Sequence, residues 1–353
     1  MKINRSVACA LLAALLFGAS TPMAKRLVGS LSPLLLAGLL YLGSGIGLGL
    51  IRLVRDRAWA RSGLSRAEWP WLLGAIVFGG MLGPAALMFG LRHTQSADAS
   101  LLLNLEAVFT ALIAWLAFRE NADRRIVLGM LAIVAGGGVL AWPETGYREP
   151  SGLAAGIVGP AAIALACLCW GIDNNMTRRI ANADAFFVAA LKGFIAGSVN
   201  TALALGLGDR LPVPGAALLA MLAGLAGYGF SLVLFVIALR GLGAARTGAY
   251  FSTAPFIGAA VSLVQFGEPA PPAFWAAAGL MTLGVWLHLT ERHEHEHVHE
   301  ATEHAHPHVH DAHHQHTHAD TDEARTPHTH RHRHVRLQHK HPHFPDTDHR
   351  HAH

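Results

Sequence analysis

The sequence predicts an all-α integral membrane protein of ten transmembrane helices, arranged as two inverted five-helix repeats and followed by a disordered histidine-rich tail. Three observations carry that prediction. Of 353 residues, 52% are hydrophobic and only 14% charged, and the apolar residues fall into runs of roughly twenty, the length a helix needs to cross the hydrocarbon core. The pattern of the first five runs returns in the second five. Beyond Thr290 the apolar runs stop and His-x-His spacing takes over.

The first run, Ser6 to about Ala24, follows Lys2 and Arg5 and ends among small residues, which is also how a secretory signal peptide reads. It is kept as a helix because its repeat partner lies deep in the chain. Nine more runs follow at Pro33–Arg52, Trp69–Leu91, Ala97–Phe118, Arg125–Trp142, Gly152–Asn174, Ala185–Leu207, Pro214–Leu239, Ala245–Phe266 and Pro272–Leu289.

Two offsets relate the halves. Adding 148 lays Ser96–Glu120 (SADASLLLNLEAVFTALIAWLAFRE) on Ala244–Glu268 (AARTGAYFSTAPFIGAAVSLVQFGE), matching Ala97, Ala111, Phe118 and Glu120 to Ala245, Ala259, Phe266 and Glu268. Adding 153 matches Leu12, Ala13, Gly18, Met23 and Arg26 to Leu165, Ala166, Gly171, Met176 and Arg179. The chain therefore divides into a first repeat (1–143), a second repeat (144–290) and a tail (291–353). Five passages per copy is odd, so the second copy must insert upside down.

Charge supports the same plan. Residues 1–290 hold 20 Lys and Arg against 12 Asp and Glu, the tail 7 against 11, so +8 and −4 sum to the net +4. The basic excess sits in short loops, where it sets orientation; it is not a nucleic-acid footprint. With the N-terminus inside, the inner segments hold Lys2, Arg5, Arg52, Arg55, Arg57, Arg61, Arg66, Arg119, Arg124, Arg125, Arg178, Arg179, Arg240 and Arg246. The outer ones hold only Lys25, Arg26, Arg92, Arg148 and Arg210. This predicts a multi-pass protein of a bacterial-type inner membrane with both termini cytoplasmic. Cys9, Cys167 and Cys169 all fall in apolar runs and spell no disulfide frame or zinc knuckle.

The segments LFGASTPMAKRL and CLCWGIDNNMTRRI, with LEAVFTALIAWLAFRE and STAPFIGAAVSLVQFGE, resemble the drug/metabolite transporter superfamily, specifically its ten-helix members built from two EamA units. The resemblance covers about residues 6–290. It implies a secondary transporter, an exporter of a small metabolite. Such proteins typically carry a Pro near the middle of the fourth helix of each unit; Pro255 matches, whereas the first unit has Ala107 there, with Glu106 beside it.

Glu106 is the residue on which a mechanism would rest. It lies about ten residues into its apolar run, near mid-membrane, where a charge persists only in a bundle interior, beside a partner or against water. Lys192, about eight residues into the seventh run, reaches similar depth. The two read either as a substrate- or proton-linked pair lining a central cavity, with Lys192 as countercharge or anchor for an anionic group, or as a structural ion pair. Asp173, Asn174 and Asn175 end the sixth run, where the resemblance implies a cavity-facing helix end; their oxygens suit a cation or polar substrate, or simply cap local backbone. Trp170 and Tyr250, with Tyr228 and Trp115, are candidates for an aromatic pocket, though aromatic residues in membrane helices also pack and anchor. Gly43, Gly45, Gly47 and Gly49 and the pair Gly193 and Gly197 predict close helix crossings. No phosphate-binding loop and no nucleophile–base constellation is present in the sequence, so an enzyme is the least supported class.

The tail holds 22 of the 24 histidines. It is too polar to build a core, and alternate imidazoles on an extended strand are good ligands for zinc, nickel, cobalt or copper. His293, His295, His297, His299, His304, His306, His308, His310, His313, His314, His316 and His318 are the metal-ligand candidates. Three roles stay open: a metal buffer feeding an efflux path, a pH switch that turns cationic below about pH 6.5 and moves toward anionic lipid, or an appendage. The expected partners are the lipid bilayer and a small-molecule or ion substrate, with no nucleic acid, no required cofactor, and a homodimer left open. Divalent-metal efflux and metal sensing without transport are the alternatives to metabolite export.

Overall fold

In hydrocarbon a backbone must satisfy its own hydrogen bonds, so each apolar run has to be a helix. The computed structural model describes residues 5–56, 63–118, 124–142, 152–180 and 183–290, with the side chains of 152–155, 239–241, 243–246 and 249 excepted, and the backbone of four tail segments. Lys2, Arg57, Arg61, Arg119, Glu120 and Arg148, the 143/144 boundary, and His310, His313, His314, His316 and His318 lie outside the described residues.

Among the described residues the helices are α1 (Arg5–Val28), α2 (Pro33–Asp56), α3 (Trp69–His93), α4 (Ser96–Phe118), α5 (Arg124–Ala141), α6 (Gly152–Arg178), α7 (Ala185–Gly206), α8 (Pro214–Ala238), α9 (Ala254–Phe266) and α10 (Pro272–Leu289). Nine are 18 to 27 residues long and apolar enough to span, and α9 is a shorter apolar helix. Helical backbone continues past α8 to Phe251. The chain nonetheless turns back there, because the Phe235 and Phe251 rings lie 4.9 Å apart, whereas sixteen residues of straight helix would separate them by about 24 Å. The last helical turns before Phe251 thus belong to the ninth passage.

Contacts at the helix ends show how the passages alternate. At one end, called here the far end, Glu268 accepts from the Ser96 and Ala97 amides at 2.9 and 2.8 Å, Lys25 donates to the Leu91 and Thr94 carbonyls at 2.5 and 2.7 Å, and Ser32 meets Asp209. At the near end Arg55 reaches Asp184 at 2.9 Å, Arg179 lies over Trp71 and Phe118, and Arg125 donates to the Thr290 carbonyl at 3.0 Å. So α1 finishes at the far end and its repeat partner α6 at the near end, while α4 finishes near and its partner α9 far. The two copies are inverted.

Both repeats carry the same irregularities. A π-helical segment interrupts α3 at Ile76–Leu82 and α8 at Leu225–Phe230. The fourth passage breaks at Leu103–Asn104, between Ser96–Leu102 and Leu105–Phe118, and the ninth breaks at Ser252–Thr253. The copies are tied by glycine. A Cβ on Gly193 would lie 2.6 Å from the Gly45 amide nitrogen and 2.8 Å from the Tyr41 carbonyl oxygen, and one on Gly197 would lie 2.9 Å from the Gly38 carbonyl oxygen. Backbone therefore packs on backbone where α2 crosses α7.

In the tail, β1 (His293–His299) pairs antiparallel with β4 (Leu337–His343), and β2 (Glu303–His308) with β3 (His328–Arg333). Two-stranded ladders of this kind are marginal in water on their own, and a composition so poor in large apolar residues gives them little to bury.

Candidate functional site

The helix break in α4 builds the site. Asn104 competes with the helical ladder, as asparagine does: its side-chain amide donates to the Leu101 carbonyl at 2.9 Å. The Cys167 thiol of α6 attends the neighbouring carbonyls of Leu102 and Leu103 at 3.6 and 3.9 Å. At this break Glu106 falls in the first turn of the following helical piece, where the positive end of the helix dipole favours a carboxylate.

Glu106 is half-buried, and its Oε1 accepts from the Asn174 amide at 2.8 Å. The same amide reaches Thr110 Oγ1 at 3.2 Å. Asn174 is exposed, yet it faces away from lipid: Leu165, 53% exposed, precedes it by nine residues, which at about 100° per residue puts the two on opposite sides of α6. Trp115, 41% exposed, stands nine residues after Glu106 and opposite it by the same count. Glu106 and Asn174 thus meet on the faces of α4 and α6 turned away from Trp115 and Leu165.

Two expectations are corrected here. Asp173, Asn174 and Asn175 do not end α6, which runs on to Arg178. Asn175 donates to the Gly171 carbonyl one turn back at 2.8 Å and to the Thr110 carbonyl at 3.1 Å, so its side chain locks α6 onto α4 and leaves the helix intact. Lys192 does not pair with Glu106. Its ammonium meets Asp173 Oδ2, both residues are buried, and Thr177 donates to the other Asp173 oxygen at 3.0 Å. Gly79 makes the space, since a Cβ there would collide with the Asp173 carboxylate.

Around this polar line the aromatic rings gather. The π-helical turn of α3 exposes the Gly79 carbonyl, which accepts from Tyr41 at 2.7 Å and from the Trp170 indole at 3.1 Å. Phe17 packs edge-on against Trp170 and Tyr228, with centroids 6.2 and 5.9 Å apart, and also meets Phe251 at 5.4 Å; Tyr41 and Tyr228 are 5.3 Å apart. Tyr250 is half-buried next to Phe251. Phe17, Tyr41, Thr110 and Phe251 were missed from sequence. Phe17 was findable as the repeat partner of Trp170, and Thr110 as the residue one turn after Glu106. His288 packs near Gly129 and bonds the Ile126 carbonyl at 3.1 Å, away from this group.

Outside the spans, Asp184 caps α7 through the Phe186 and Phe187 amides at 2.8 and 3.1 Å. Partial burial pushes its pKa up, but the Phe187 amide and the Arg55 guanidinium outweigh that and hold it below the usual carboxylate range.

A family model described as the EamA-like transporter family matches residues 4–142 and 157–290. The chain belongs to the EamA-like transporter family. An uncharacterized transporter of Methanothermobacter thermautotrophicus is 26% identical over 269 residues, 73% of this chain and 78% of that one. The probable 4-amino-4-deoxy-L-arabinose-phosphoundecaprenol flippase subunit ArnE of Pseudomonas paraeruginosa is 36% identical over 106 residues, 30% of this chain and 88% of that one. A crystal structure of a protein 19% identical superposes with a TM-score of 0.59 over 79% of this chain and 95% of that one, a likeness of fold. The family and the first of these relatives are named for transport.

Proposed function

We propose that the chain is a secondary transporter exporting a small metabolite by alternating access, from the cytoplasmic side of a bacterial-type inner membrane, with repeats at 1–143 and 144–290 and both termini inside. One observation carries the reading: an intramembrane carboxylate, Glu106, stands at a helix break with a neutral amide as its partner, beside a Lys192–Asp173 pair that satisfies itself. Charges so placed mark pathways. The excess of arginine and lysine at the near end supports the orientation, and the flippase named among the relatives supports movement of a cargo across a bilayer. The test is counterflow in proteoliposomes over a metabolite panel under an imposed pH gradient. Coupled flux is expected from the native chain and lost in Glu106→Gln; full coupled flux in that variant would refute the role of Glu106.

Divalent-metal handling by the tail is the second reading, and the strand register supports it. His293, His295 and His297 stand opposite His343, His341 and His339, and His304, His306 and His308 opposite His332, His330 and His328. Alternate positions of a strand share a face, and imidazole is a ligand for zinc, nickel, cobalt or copper. Flux of zinc, nickel and cobalt by the full chain and by a chain stopped after Thr290 tests it. Metal flux that weakens on truncation makes the tail a loader, and tight binding without flux makes it a buffer.

A further inference from the structure

We propose that two equivalent arginine–phenylalanine latches, Arg179 on Phe118 at the near end and Arg26 on Phe266 at the far end, each close one mouth of the bundle. The proposal rests on the transport reading and adds its gates.

The repeat offsets and the geometry meet at these four residues. Adding 153 carries Arg26 to Arg179, and adding 148 carries Phe118 to Phe266. Each arginine turns to the phenylalanine of the other half: the Arg179 guanidinium lies 5.1 Å from the Phe118 ring and the Arg26 guanidinium 5.5 Å from the Phe266 ring. Both contacts have support. Arg178 also stands over Phe118 at 5.8 Å and Arg179 over Trp71 at 5.4 Å, while Gln265, with its amide oxygen turned toward Arg26, accepts from that guanidinium at 3.0 Å.

Each latch ends a helix crossing built on glycine. A Cβ on Gly171 would lie 3.0 Å from the Thr110 amide nitrogen, so α6 packs directly on α4, and one on Gly18 would lie 3.2 Å from the Gly258 amide nitrogen, so α1 packs directly on α9. Gly18 and Gly171 are partners by the first offset, Thr110 and Gly258 by the second. From crossing to latch the chain advances eight residues on every arm, Gly171 to Arg179, Thr110 to Phe118, Gly18 to Arg26 and Gly258 to Phe266, or about 12 Å. One arrangement is thus used twice, pointing at opposite ends. Backbone packed on small residues lets helices tilt about the crossing, and a guanidinium over a ring adds a modest attraction. Both arginines are exposed, so the contact is weak enough to break and remake. Asn174 and Thr110 stand between the α4–α6 crossing and the near latch; spreading those two helix ends bares them to the near side, and the shut far latch keeps the other side closed.

Sided access tests this without a known cargo. A thiol introduced by Asn174→Cys, or by Thr110→Cys as a second reporter, is labelled in sealed vesicles by a charged, membrane-impermeant methanethiosulfonate applied to one face at a time; the native chain gives the background from Cys9, Cys167 and Cys169. Phe118→Leu and Arg179→Gln should each raise near-face labelling about threefold and leave far-face labelling no higher, and Phe266→Leu and Arg26→Gln should do the converse. Arg179→Lys, which keeps a cation over the ring, should stay near the native rate. Labelling that is unchanged, that rises equally from both faces or that rises from the wrong face overturns the latches, as does a lowered melting temperature with no change in sidedness. Sided labelling as expected, in a chain that moves no member of the metabolite panel, upholds the latches and removes the transport reading. Flux with labelling indifferent to all four substitutions does the reverse.

Discussion

The first helices of the two repeats occupy equivalent places and do different chemistry. Along α1 the sequence reads Phe17, Gly18, Ser20, Thr21, Pro22; at the same positions of α6 it reads Trp170, Gly171, Asp173, Asn174, Asn175. Ser44 of α2 answers Lys192 of α7, and the Glu106 region of α4 answers the Pro255 region of α9. The frame is doubled: paired π-helical segments, paired helix breaks, and glycines matched across α2 and α7. The charge is single. Duplication supplied a symmetrical scaffold, and the site lies where the copies depart from each other.

Making the second copy resemble the first is the most disruptive test of that contrast. Lys192→Ser, the first repeat's residue at that place, leaves Asp173 buried without its cation and should cost about 3–5 kcal/mol, whereas Lys192→Ser with Asp173→Ser removes both charges and should cost much less. Thermal unfolding in detergent reads the difference, and equal losses would mean that the pair is not coupled. Next in size is the glycine crossing. Gly193→Ala drives a methyl group into Tyr41 and Gly45 backbone and should cost about 1–3 kcal/mol, while Gly49→Ala, with nothing within 4 Å of the new Cβ, should be neutral or slightly stabilising. Similar melting points for the two variants would remove the close crossing.

Smaller again is the far-end cap. Glu268→Ala frees the Ser96 and Ala97 amides and should cost about 1 kcal/mol, seen as faster amide exchange at the start of α4. The smallest effect concerns Asp184. Its folded pKa is depressed, so its stabilising contribution is present above the unfolded value of about 3.9 and is lost as pH falls through the folded value. Partial exposure and screening keep it to about 1 kcal/mol or less. The melting-temperature gap between the native chain and Asp184→Asn should therefore close below about pH 4; a gap that stays constant down to pH 3 would contradict the pairing.

This contrast also explains what could be read in advance. Helix number and inversion were legible because hydrophobic length and the two repeat offsets are properties of sequence alone. Glu106 was legible because a carboxylate in an apolar run has few explanations. Its partner was not. Depth along a helix follows from counting, but azimuth depends on how helices pack, and only the α2–α7 crossing turns Lys192 toward Asp173. The same limit hid Thr110 and Tyr41, whose roles depend on which carbonyl or amide stands opposite. Asp173 to Asn175 were read as a helix end because such residues usually compete with the ladder; here each side chain has a partner in a neighbouring helix or one turn away.

The paired π-helical segments have a further consequence. A π turn holds one residue more than an α turn, so each of Ile76–Leu82 and Leu225–Phe230 is an inserted residue that the rod has absorbed without lengthening its path across the bilayer. Passing that surplus one turn along α3 would swing the Gly79 carbonyl away from Tyr41 and Trp170 by about a quarter-turn and slide the rest of the helix by about 1.5 Å. Slack of this kind, stored once in each half, lets a fixed-length span change its face toward its neighbours while both ends keep their depth.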